Sequence, residues 1–190
     1  MAEARWRLAY RSVSRTACTS AVAMTVSFTA NTHFGDHRTI NIHRRPFASA
    51  TQMDRALIEG WNETVGPDDE VWHLGDFCRK PADGAELLAA LNGGIHLVCG
   101  NNDATTVREQ PGWHSVQDYA EILAADRLLV MCHYPFRNWK RQHKGAINLH
   151  GHSHGAMKPL PRQLDVGADV WDFRPALLDM VLAKAIRSRS

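Results

Sequence analysis

Five short stretches of this chain carry side chains that could hold and activate a ligand. They are Asn31-Thr32-His33, Gly75-Asp76, Gly100-Asn101-Asn102-Asp103, His133, and Gly151-His152-Ser153-His154. Neutral imidazole suits Zn, Fe, Ni and Cu, while carboxylate and amide oxygens suit harder ions such as Mn. A mixed set of this kind fits divalent cations, and Asp76 is the only carboxylate placed to bridge two of them. Taken singly, each piece is ordinary. A Gly-Asp pair is usually a turn, and Gly-Asn-Asn-Asp is usually a loop. A lone His133 behind an apolar run reads as a buried structural histidine, and His152 with His154 as one face of a strand end. The ordered set of five is what favours a metal site. The eleven histidines agree with it, since histidine is the commonest side-chain metal ligand.

The elements that must position these residues alternate in a βα manner. Apolar runs predict strands at Met24–Ala30, Val71–Leu74, Ile95–Cys99, Ala146–His150 and Gln163–Val166. Tyr119–Leu123 and Leu128–Cys132 predict a hairpin around Ala125-Asp126. Each polar stretch lies just past the end of one of these strands, the edge at which α/β sheets place their sites. The glycines before Asp76, Asn101 and His152 predict a sharp backbone turn behind each. Ser49 to Gln52 forms a capping box with Ser49 as N-cap, and Met53, Leu57, Ile58 and Trp61 then share one helical face. A second helix, Ala85–Leu91, is stopped by Asn92-Gly93-Gly94, and Pro175 suits the first position of a helix Pro175–Ile186.

Composition excludes several classes. A chain that is 44% hydrophobic and 22% charged is ordinary globular protein, not a disordered one. A net charge of +2 gives no reason to expect nucleic acid or an anionic membrane as partner, and no apolar run is long enough to span a bilayer. Cys18, Cys78, Cys99 and Cys132 are scattered without a Cys-x-x-Cys pair, which predicts reduced thiols, a cytoplasmic location and no cysteine zinc site. The expectation is one α/β domain over residues 24–190 with mixed sheet directions. Residues 1–23 are Arg-rich and lack the apolar stretch of a secretory signal. They read as a floppy N-terminal extension, with a transit peptide as the alternative.

In order and type, the five stretches resemble the calcineurin-like metallophosphoesterase superfamily, whose pattern is Asp-x-His, Gly-Asp, Gly-Asn-His-Asp, His and Gly-His-x-His. The flanks resemble a bacterial phosphoesterase subgroup, in the segments 32–35, 45–48, 72–77, 133–137, 149–155 and 164–171. The resemblance implies a four-layer α/β/β/α sandwich with mixed sheets and two divalent cations, Mn, Fe, Zn or Ni. It implies that one ion meets Asn31, His33, Asp76 and His154, and the other Asp76, Asn101, His133 and His152. Two such ions, about 3.5–4 Å apart, make a bridging hydroxide a nucleophile near neutral pH. The implied reaction is hydrolysis of a phosphate monoester or diester.

Two positions depart from the family pattern. Asn31 stands where the family has Asp; its amide oxygen can coordinate but lacks the charge, which predicts a weaker first cation position. Asn102 stands where the family has His, a candidate general acid. It can donate a hydrogen bond but cannot deliver a proton. With Asp103, whose usual partner is gone, it makes the candidate catalytic pair, and substrates with poor leaving groups should suffer most. The alternative function follows: a catalytically impaired relative that acts as a binding or scaffold protein.

Around this set, Arg137 in the loop after His133 and His37 beside the first stretch are candidate substrate contacts, Arg137 because guanidinium matches phosphate bidentately. A solvated Arg137 beside a packed Trp139 is the competing reading. Asp36 either adds charge beside the site or caps a turn. His150 is placed to orient a ligand, His73 and His96 to pack inside strands, and His43, His114 and His143 to be exposed. Arg44, Arg45, Lys140, Arg141 and Lys144 read as solvated charge. A phosphate ester is the expected partner; nothing here is suited to reading base edges.

Overall fold

Successive residues of a strand face opposite ways, and here that alternation sorts the core into separate layers. The computed structural model describes residues 24–187, so the expected extension over 1–23, with Cys18, lies outside the described residues. The strands are β1 (Val26–Thr29), β2 (Glu70–His73), β3 (Gly94–Val98), β4 (Trp113–Gln117), β5 (Ala120–Ala124), β6 (Arg127–Met131), β7 (Ile147–His150), β8 (Gln163–Asp165) and β9 (Ala176–Leu177). The helices are α1 (His37–Ile42), α2 (Ala50–Thr64), α3 (Gly84–Ala90), α4 (Thr105–Arg108) and α5 (Leu178–Arg187).

Two sheets result, with strand orders β4-β3-β2-β1-β9 and β5-β6-β7-β8. Strands β1 to β4 run parallel and β9 antiparallel to β1. In the second sheet β5 and β6 form the expected antiparallel hairpin, while β6, β7 and β8 are parallel. This is the mixed α/β fold the sequence predicts, two mixed sheets flanked by helices.

Between the sheets Phe28, Leu74, Leu129, Met131 and Leu149 are fully buried, joined by Val181 and Ala185 of α5. On the other face of the first sheet Val71 and Ile95 meet Met53, Leu57 and Trp61 of α2 and Leu88 of α3. Each such side chain contributes about 1.5–3 kcal/mol on burial. The outer face of the second sheet is covered by a loop: Val130 packs against Trp139 and Ala146, and Trp139 donates Nε1–H to the Ala146 carbonyl at 3.0 Å. The packed reading of Trp139 is the right one.

Helix α2 begins as predicted. Ser49 Oγ accepts from Gln52 N at 3.1 Å, and Gln52 Oε1 accepts from Ala48 N at 2.7 Å. The C-terminal helix begins later than predicted. Ala176 and Leu177 pair antiparallel with Phe28 and Ser27, and α5 starts at Leu178. Edge pairing captures these two residues before the helix can. Among the described residues no helix is long and apolar enough to cross a membrane.

Candidate active site

The ends of β1, β2, β3, β6 and β7 deliver all five polar stretches to one edge of the molecule. The backbone there is unusual. Asn31, His33, Asp76, His152 and His154 all have positive φ, at 55°, 51°, 60°, 62° and 48°, a region that costs a non-glycine residue about 1–3 kcal/mol. Main-chain bonds hold it in place: Asn31 N donates to Gly75 O at 2.9 Å and His33 N to Asp76 O at 3.0 Å. Gly75, at φ +89°, makes the sharp turn expected of it, and a Cβ there would lie 2.5 Å from Gly100 N. Gly100 and Gly151 serve differently. Neither has positive φ; each is small because a neighbour passes close, Asp76 in one case and Ala30 in the other.

Asp76 is nearly buried, at 3% exposure. Its loop is clamped by Asp103, whose carboxylate accepts from Asp76 N at 2.9 Å, Phe77 N at 2.8 Å and Gly100 N at 2.8 Å. Both Asp103 oxygens are therefore engaged by main chain. Asn102 donates its backbone N–H to Asp76 Oδ1 at 2.8 Å and its side-chain amide to Asp76 Oδ2 at 2.7 Å. His133, fully buried, sets Nδ1 2.7 Å from the Leu74 carbonyl. A carbonyl only accepts, so Nδ1 carries the proton and Nε2 is the ring atom left to offer a lone pair. That atom lies 3.0 Å from Asn101 Oδ1 and 3.6 Å from Asp76 Oδ2. His152 Nδ1 lies 3.0 Å from the same Asn101 oxygen.

The other half of the cleft hangs on an ion pair. Arg45 is 4% exposed and donates bidentately to Asp169, both bonds at 2.8 Å. It also donates to the carbonyls of Asn31 at 2.6 Å and Thr32 at 2.9 Å. The solvated reading of Arg45 is thus overturned: its guanidinium is the buried tie of the Asn31–His33 loop. Asp169 accepts from His154 Nδ1 at 2.7 Å. Burial pulls the Asp169 carboxyl upward, but the hydrogen bonds from His154 and Arg45 outweigh it and hold it well below the carboxylate range. His43 is another correction. It is half-buried and lies flat on His154, ring centroids 3.4 Å apart.

Burial, with the electrostatic influence of neighbouring His154 and Arg45, depresses His33 to about 3. Burial and His133 also lower His152. These imidazoles are neutral at neutral pH, the form that ligates. His73 is buried as expected and supports the first loop through Thr32 Oγ1, 2.9 Å from its Nε2.

The two halves line a cleft of about 340 Å³ that contains His33, Asp76, Asn101, Asn102, His152 and His154. Asn31, His133 and Asp103 sit behind it, buried. Neither proposed substrate contact lines this cleft. His37 is exposed at the start of α1, and Arg137 lines a separate groove with Met157 and Lys158. The arginines that do line it are Arg38 and Arg79, which sequence reasoning missed. Their signal was nearness to Asp36 and Asp76 in the chain. Asp36 caps α1 by accepting from Arg38 N at 3.1 Å, and its hydrogen bonds with the Arg38 guanidinium hold its carboxyl down at about 2.

A two-sheet α/β sandwich with a histidine- and asparagine-rich cleft at its strand ends is the class that fold and site define. Residues 24–164 match the calcineurin-like phosphoesterase superfamily domain, and the chain belongs to that superfamily. It is similar to an uncharacterized protein of Methanocaldococcus jannaschii, 27% identical over 163 residues, which covers 80% of this chain and 86% of that one. It is also similar to the Gene 66 protein of Mycobacterium phage D29, 30% identical over 179 residues, covering 77% and 88% of the two chains. A crystal structure of a protein of unknown function from Aquifex aeolicus shares the fold, with a TM-score of 0.68 at 18% identity, over 85% of this chain and 99% of that one.

Proposed function

We propose that this protein is a divalent-cation-dependent phosphoesterase that hydrolyses a phosphate monoester or diester at the Asp76 cleft. The observation that carries this reading is the convergence of ligand-type atoms around Asn101, with the His133 Nε2 lone pair facing the Asn101 oxygen. His133 Nε2 and His152 Nδ1 stand 3.0 Å from Asn101 Oδ1, with Asp76 Oδ2 3.6 Å from His133 Nε2. Acceptors that face one another repel unless a proton or a cation lies between them. With the Asn101 amide turned over, its NH2 would donate to both rings, so the same atoms serve with and without an ion. Among the described residues no three His, Cys, Asp or Glu side chains form an ion cage by themselves; the Asn101 amide oxygen completes the set.

A bound divalent cation supplies a nucleophile from water near neutral pH and charge to offset the phosphoryl oxygens. The chain does the rest. Asp103 fixes the Gly75–Phe77 and Gly100 backbones, and so positions Asp76 without touching substrate. Arg38 and Arg79 line the cleft and suit bidentate contact with phosphate oxygens. Asn102 can donate a hydrogen bond to a phosphoryl oxygen but no proton to a departing alkoxide, so aryl esters are favoured over alkyl esters.

Elemental analysis of the purified chain, with assays on aryl phosphate mono- and diesters plus Mn, Fe, Ni or Zn, tests this reading. Turnover that depends on added ion is expected, and Asp76→Ala should abolish it; no turnover with any of the four sinks the enzyme. One observation favours a non-catalytic ligand-binding protein instead: the Asn102 amide occupies Asp76 Oδ2, the oxygen a cation needs.

A further inference from the structure

The carboxylates around the cleft limit how many cations it can take. Asp103 spends its oxygens on three main-chain amides. Asp169 is committed to Arg45 and His154, and Asp36 to Arg38. Asp54 accepts from Gly35 N, and Asp165 from Ser153 Oγ, Gly155 N and Gly167 N. Asp76 accepts only from the backbone and side-chain amides of Asn102 and is the carboxylate that faces the histidines of both halves. A single carboxylate is poor compensation for two dications held side by side in a partly buried cleft.

The position of Asn31 sharpens the point. His152 N donates to Asn31 Oδ1 at 3.1 Å, and this fixes the amide, because turning it over would set two N–H donors against each other. Nδ2 then remains buried without a partner, as does Nε2 of His33. An N–H pair wants an acceptor and repels a cation. Asn31 Oδ1 keeps a second lone pair but carries no charge, and the N–H pair held beside it opposes a cation, so Asn31 adds little to an ion site. His33 Nε2 lies 3.6 Å from Asp76 Oδ2, the same oxygen that faces His133, so the charge an ion on His33 and His154 would need is one that the Asn101 side also uses. On the Asn101 side, by contrast, two imidazole nitrogens, an amide oxygen and the Asp76 carboxylate come together.

Resting on the cation-dependent reading above, we propose that this chain holds one divalent cation, on Asp76, Asn101, His133 and His152, and that its Asn31–His33–His154 half stays cation-free.

The full chain, stripped with chelator and titrated with MnCl2 by calorimetry, gives the count, and electron paramagnetic resonance of the loaded protein gives its nuclearity. One equivalent with an uncoupled manganese spectrum is the expected result. Two equivalents, or an exchange-coupled spectrum, would overturn the inference while leaving the cation-dependent reading intact. No binding at all would overturn both. Asn31→Asp should raise the count from one to two and produce the coupled spectrum; a folded Asn31→Asp protein that still binds one contradicts the role given to Asn31. If that variant does not fold, His33→Ala serves instead. It should keep the single equivalent that His133→Ala loses, and loss of the ion in His33→Ala would overturn the assignment.

Discussion

On the Asp76 side of the cleft the scaffold is main chain. Asp103 gathers three backbone amides from two neighbouring loops, and His133 is pinned to the Leu74 carbonyl. On the His154 side it is one buried ion pair between residues 124 apart in sequence, Arg45 and Asp169, which also ties down the Asn31 and Thr32 carbonyls. The first arrangement is distributed over several bonds within adjacent parallel strands. The second concentrates its restraint in two side chains. The half predicted to bind an ion is therefore braced by a carboxylate on main-chain amides, and the half predicted to stay empty adds to its own main-chain bonds a brace made of one buried ion pair.

The largest test of that contrast is Arg45→Met. It leaves the buried Asp169 carboxylate with His154 as its one remaining side-chain partner, and urea unfolding should show a loss of about 3–5 kcal/mol. Manganese binding at the Asp76 side should survive under conditions where the variant is folded. If it does not, the two halves are one unit and the comparison fails. Asp103→Asn comes next. An amide has one acceptor oxygen, and its NH2 must face at least one donor, so a stability loss of about 1–3 kcal/mol is expected. Because Asp103 orients the loop of Asp76, cation affinity should also fall, by roughly 10–100-fold.

The Asp76 half was largely legible in the sequence. Its residues follow apolar runs, and the type of each says what it can ligate. The anchors of the other half were not. Nothing in Arg44-Arg45 or in Gly167-Ala168-Asp169 says that two residues so far apart meet; only the crossing of the chain between the sheets makes the pair. His43 was misread for the same reason, since its partner His154 lies on a distant strand end. Residue type alone also misled at Arg137 and His37, which suit phosphate but face elsewhere. In the fold, β1, β2, α2 and the β5–β6 hairpin announce themselves by pattern. Strand β4, Trp-His-Ser-Val-Gln, is an edge strand too polar to stand out, and β9 is two residues long.

A smaller effect comes from pH, and it separates the cleft from His96 inside the first sheet, on β3. Burial depresses His33 to about 3 and His96 to about 4, against about 6.5 in the unfolded chain. Below pH 6.5 the unfolded chain takes up protons that the folded chain refuses. The stabilisation is fully present above 6.5 and is lost as pH falls toward the folded values. Urea midpoints should therefore drop between pH 7.5 and pH 5. His33→Gln and His96→Gln should each reduce the drop. An unchanged drop in His33→Gln would mean that the cleft histidine is not held neutral.

The smallest effect is expected at Asn102. It is exposed, so Asn102→Ala should change stability by no more than about 0.5–1.5 kcal/mol. Its backbone bond to Asp76 Oδ1 survives the change, and only the side-chain bond to Oδ2, at 2.7 Å, is lost. That oxygen is the one 3.6 Å from His133 Nε2, on the side of the cleft assigned to the ion. The amide and the ion compete for it, so removing the amide should tighten manganese binding, by about fivefold for a hydrogen bond of ordinary net strength. Weaker binding in Asn102→Ala would reverse the sign of the argument. The amide would then be a brace that holds the Asp76 carboxylate in its ligating orientation, and both halves of the cleft would depend on side-chain restraint.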